Sequence, residues 1–92
     1  ERIIQNNISV KFIDKLIQDN PIVLSINIWQ INKQFHYPHW ILIYKKIKDK
    51  YQIYEPLCGK IKYIPEKLLK ESLKSYLNRL WMAPQIITRE NL

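Results

Sequence analysis

Two side chains suited to acid–base chemistry, His39 and Glu55, bracket what reads as a single β-hairpin. After His39 come Trp40, Ile41, Leu42, Ile43 and Tyr44, a continuous run of β-formers that suggests burial on both faces. Lys45 to Lys50 is polar, carries four lysines and is the expected turn. Tyr51, Gln52, Ile53 and Tyr54 form the return strand, which ends at Glu55 because Pro56 cannot continue a ladder. Antiparallel pairing about a turn near Ile47 and Lys48 sets the start of one strand beside the end of the other, so His39 and Glu55 are predicted neighbours. A carboxylate on one ring nitrogen fixes the tautomer of an imidazole and favours its charged form, which is what a general base needs. The same pair would also serve as a satisfied polar contact at a sheet end, so further residues must decide.

The other reactive groups are sparse. Cys58 is the single cysteine and cannot form an internal disulfide. It is followed by Gly59 and an expected strand, without the helix N-terminus that commonly lowers a thiol pKa, and it reads as a structural thiol. His36, His39 and Cys58 fall short of the four spaced ligands of structural zinc, so no metal is assigned. One glycine in the whole chain rules out a glycine-rich phosphate loop, and no cofactor is called for. Trp29, Trp40 and Trp81 read as core or groove walls before they read as base-stacking platforms.

The run His39-Trp40-Ile-Leu-Ile-Tyr, then Tyr51-Gln-Ile-Tyr-Glu55-Pro56, Gly59 and the segment Ile61 to Ile64 resembles the His/Asp-bearing half of the bacteriocin-processing cysteine peptidases and their papain-like relatives. Ser9 to Ile17 resembles the helix leading into that family's Pro-Ile-Val strand, here Pro21-Ile22-Val23, and Ile64 to Leu68 resembles its later strand and helix. The likeness spans roughly residues 9 to 88. It implies that His39 is a general base, that Glu55 orients it where the family has aspartate, and that Tyr37 and Trp40 border the substrate groove. The chemistry implied is peptide-bond hydrolysis by thiol acyl transfer on a peptide or protein substrate. No cysteine precedes His39, so the nucleophile would come from a preceding segment or a second chain. Without a thiol, the same cleft would hold a peptide and not cut it.

The elements that must position this pair follow from patterning. Ser9 is placed to cap a short helix with Phe12, Ile13, Leu16 and Ile17 on one face, stopped by Asn20-Pro21. Ile22 to Trp29 is an expected strand, and Gln30 to Pro38 a polar connection. Ile61 to Ile64 is an expected edge strand, and Pro65-Glu66 opens a helix striped by Leu68, Leu69, Leu73, Tyr76, Leu77 and Leu80. Gln85 to Thr88 is a last strand, while Glu1 to Asn7 reads as a lead-in. The fold class is therefore α+β, an antiparallel sheet of four to five strands with two helices. The 92 residues make one domain, read as the C-terminal part of a peptidase-like domain. No signal peptide or membrane-crossing run is written in these residues, and location is unmarked. A net charge of +7 and the lysine-rich turn also suggest a small basic nucleic-acid-binding protein, the less favoured alternative.

Overall fold

The computed structural model describes residues 2–4, 8–30, 36–56, 59–81 and 84–88. The elements are β1 (Arg2–Ile4), α1 (Val10–Ile17), β2 (Ile22–Asn27), a 3-10 turn (Ile28–Gln30), β3 (Pro38–Ile47), β4 (Lys50–Glu55), β5 (Lys60–Pro65), α2 (Glu66–Leu80) and β6 (Ile86–Thr88). The strands form one antiparallel sheet in the order β1-β6-β2-β3-β4-β5. The architecture is α+β, with six strands and not four or five. The additional strand is β1, three residues of the expected lead-in, which pairs Arg2 to Ile4 with Thr88 to Ile86. So short a segment has no strand signal of its own, and a partner more than eighty positions away supplies it.

Helix α1 begins where Ser9 accepts a hydrogen bond from the Phe12 N–H at 3.2 Å, the N-cap expected from its residue type. It buries Val10, Ile13 and Ile17, while α2 buries Leu69, Ser72 and Tyr76. Val10, Ile13, Ile17 and Leu69 meet Ile22, Leu24, Ile26, Ile41, Ile43, Tyr51, Ile53, Ile64 and Ile86 in one core on a single face of the sheet. Each fully buried aliphatic there contributes roughly 1.5–3 kcal/mol of transfer free energy. Leu77, expected on the buried stripe of α2, is exposed instead, because the helix turns Ser72 and Tyr76 inward.

Four further expectations are corrected. The β3 strand runs on through Lys45 and Lys46 to Ile47, so the turn shrinks to Lys48 and Asp49, with Lys48 at φ +58°. The strand expected over Ile22 to Trp29 ends at Asn27, where the chain coils into the 3-10 turn. Burial on both faces of β3 is not found: Ile41 and Ile43 are buried, whereas Trp40 is exposed and Leu42 and Tyr44 are half-buried. Both helices pack on one side, so alternate residues of β3 face outward despite their apolar character. An extra residue between Ile43 and Lys45 makes a β-bulge opposite the Gln52–Ile53 step. Pro65, expected in the first turn of α2, instead ends β5 with extended backbone and stands at the N-cap position.

Candidate active site

His39 is the second residue of β3 and Glu55 the last of β4. Leu42 lies opposite Tyr54, so the next pair along brings Ile41 opposite Glu55, and His39 lies one step further on the same face. From there the imidazole Nε2 bonds the Glu55 Oε1. A carboxylate only accepts, so Nε2 carries a hydrogen, and in the neutral ring the lone pair is then on Nδ1. Nδ1 has no hydrogen-bond partner among the described residues, which leaves it as the nitrogen able to take a proton from elsewhere. The histidine side chain is 11% exposed and the glutamate 2%, so the orienting carboxylate is enclosed while the ring keeps a narrow outlet. Gly59, at φ +64°, donates its N–H to the Glu55 carbonyl at 2.9 Å and closes the turn that follows the acid.

A second polar cluster stands at the same end of the sheet. Asn27, fully buried, accepts the backbone N–H groups of Trp29 and Tyr37 on its Oδ1, each at 3.2 Å. That pins the amide, so its Nδ2 is the group facing His36 Nδ1 at 2.8 Å and Ser75 Oγ at 3.3 Å. His36 Nδ1 then accepts from the amide, which corresponds to the tautomer with its hydrogen on Nε2. Its ring stacks on Trp29 with centroids 4.6 Å apart and planes 18° apart. The Ile28 N–H donates to the Tyr37 carbonyl at 2.9 Å and completes the clamp. Asn27 thereby joins the two ends of the connection that delivers the chain to His39. Patterning along β2 missed this role, although a polar residue closing a six-residue apolar strand was a signal that it had buried partners.

Of the residues expected at the site, the structure brings together His39 and Glu55. Tyr37 is exposed beside the clamp, whereas Trp40 lies on the opposite face of the sheet, level with Ser25. Cys58 lies outside the described residues. Among the described residues, no three His, Cys, Asp or Glu side chains converge to hold a metal ion, and no helix is long and apolar enough to cross a membrane.

Replacing Asn27 with alanine removes the side-chain oxygen that accepts the Trp29 and Tyr37 N–H groups, at a fully buried position. We expect a loss of about 1–3 kcal/mol, measured by denaturant unfolding. Amide exchange should speed up at Trp29 and Tyr37 while the β4–β5 ladder stays protected. Uniform loss of protection across the sheet would contradict the clamp.

No protein-family model matches this sequence, and comparison with curated proteins and with solved structures gives no match. Function therefore has to be argued from the geometry of the site and the chemistry of its residues.

Proposed function

We propose that this chain supplies the histidine–carboxylate half of a cysteine-peptidase-like site that works by thiol acyl transfer. The observation that carries the reading is the pairing of His39 Nε2 with a 2%-exposed Glu55 carboxylate, which leaves Nδ1 as the proton acceptor. In this role His39 takes the proton of a cysteine thiol and the thiolate attacks a peptide carbonyl. The protonated ring returns the proton to the departing amine, and water then releases the acyl group. Glu55 holds the ring orientation and steadies the imidazolium between these steps. The thiol comes from a segment preceding these residues or from a second chain, because the only cysteine here follows the acid. Tyr37, exposed beside the clamp, is the candidate wall of the peptide groove.

The test is covalent labelling of the full gene product with a peptide acyloxymethyl ketone, followed by mass spectrometry of the modified residue. The reading expects modification of a cysteine outside these 92 residues, lost on His39→Ala. Labelling of Cys58, or labelling that survives His39→Ala, would overturn the roles given. A product that binds peptide substrates without being labelled would support a module that keeps the cleft and has no nucleophile.

A further inference from the structure

The outward face of the sheet carries a feature unrelated to the histidine site. Register places Trp40, Leu42, Gln52, Tyr54, Ile61 and Tyr63 on this side, since Leu42 pairs with Tyr54, Tyr54 with Ile61, and Gln52 with Tyr63. Trp40 lies two residues before Leu42 on β3, and Tyr63 two residues beyond Ile61 on β5. Trp40, Tyr54 and Tyr63 therefore step diagonally over three neighbouring strands, each step the roughly 7–8 Å of a diagonal cross-strand pair. Trp40 is 39% exposed and Tyr63 55%, and Tyr54 is half-buried between them. The Gln52 amide donates to the Tyr63 hydroxyl at 3.3 Å and holds that ring over the strand.

The charge on this face has one sign. Lys45 stands opposite Gln52, and Lys50 lies between Ile47 and Pro65, so both lysines border the aromatic diagonal, and both are exposed. Among the described residues, no aspartate or glutamate occupies a strand position on this side. A second copy of the face would bring these lysines against one another with no carboxylate to meet them. An acidic peptide would answer the charge but not the flat rings. Unpaired nucleotides answer both, with phosphates for the lysines and base faces for the rings.

We propose that the open face of the sheet binds single-stranded nucleic acid, with bases stacked along the Trp40–Tyr54–Tyr63 diagonal and phosphates near Lys45 and Lys50. The surface does not depend on the acyl-transfer reading, because His39 and Glu55 face the other way. Binding is expected to tolerate sequence, since every base offers a π-face, and to weaken as salt rises.

The experiment is fluorescence anisotropy of a labelled oligouridine of about ten nucleotides, within the span that such surfaces cover, titrated with the intact chain at several salt concentrations. Trp40→Leu and Tyr63→Leu keep apolar bulk while removing the ring, and each should weaken binding about tenfold or more. Tyr63→Phe should bind like the parent. Lys45→Ala should reduce the salt slope by about 0.7. Circular dichroism checks that each variant is folded, and Tyr63→Ser replaces any leucine variant that is not. Absence of binding would overturn the proposal, as would binding indifferent to both ring removals. Equal competition by polyglutamate would assign the face to acidic peptides, and sedimentation as a dimer that excludes the oligonucleotide would assign it to self-association.

Discussion

His39→Ala should abolish peptide hydrolysis by the full gene product, while Glu55→Gln should leave a residue of activity about 10²–10⁴ below the parent. The difference in severity follows from position. In the proposed mechanism His39 carries the proton to and from the reacting atoms, and Glu55 acts through it by holding Nε2–H and stabilising the charged ring. Glutamine keeps an oxygen for the hydrogen bond but supplies no charge, so the loss in Glu55→Gln should fall on kcat and leave KM close to the parent value. Cys58→Ser should change neither constant. The check is steady-state hydrolysis of a fluorogenic peptide. Full activity in His39→Ala, or its loss in Cys58→Ser, would reverse the assignment of roles.

A comparably large effect is expected at the opposite end of the hairpin, and it concerns stability. Tyr51 is fully buried, and its hydroxyl donates to Asp14 Oδ1 at 2.5 Å. Lys46 Nζ donates to Asp14 Oδ2 at 2.8 Å and to Glu66 Oε1 at 3.2 Å, and lies 5.1 Å from the centre of the Tyr51 ring. The cluster binds α1 and α2 to the hairpin, and the Glu66 N–H adds a bond to the Asp49 carbonyl at 2.7 Å. Tyr51→Ala should cost about 3–5 kcal/mol, through the cavity and the lost hydrogen bond together.

The same cluster sets a response to alkali. Burial, reinforced by the Asp14 carboxylate, raises the Tyr51 pKa above its ordinary 10.0. The hydrogen bond to Asp14, opposed by burial and helped by Glu66, raises Lys46 above its ordinary 10.5. Each group holds its proton more tightly folded than unfolded, so their stabilisation is complete below about pH 10 and is lost as pH rises beyond it. Denaturant midpoints followed from neutral pH upward should fall above that point. Tyr51→Phe removes the phenol and should flatten the decline. An identical alkaline slope in parent and Tyr51→Phe would show that the phenol does not contribute.

The hairpin was legible because its pattern is local. Pro56 ends β4, the apolar run defines β3, and antiparallel pairing then has to bring positions 39 and 55 together. What was illegible depends on distant parts of the chain. Arg2–Ile4 becomes a strand only because Ile86–Thr88 is there to pair with it. Trp40, Leu42 and Tyr44 spell a buried strand, but both helices pack on the other side, and a run of apolar letters does not say which of two faces will be covered. Four lysines in six residues spelled a loop, yet Lys46 is drawn into the sheet by Asp14 and Glu66, two carboxylates on separate helices. Asn27 could be recognised as a clamp only once the connection had returned His36 and Tyr37 to it.

The bulge in β3 has a consequence for evolution as well as geometry. Before it, odd-numbered residues such as Ile41 and Ile43 look toward the helices; after it, Lys46 does, level with Tyr51, while Lys45 looks away, level with Gln52. A single-codon deletion at Tyr44 would remove the extra residue and keep both pairings, with Lys45 still level with Gln52 and Lys46 still level with Tyr51. One frame-preserving loss would then leave the alkali-sensitive fastening and the outer cation both in place, so this codon is one that descent could shed or regain without disturbing either trait.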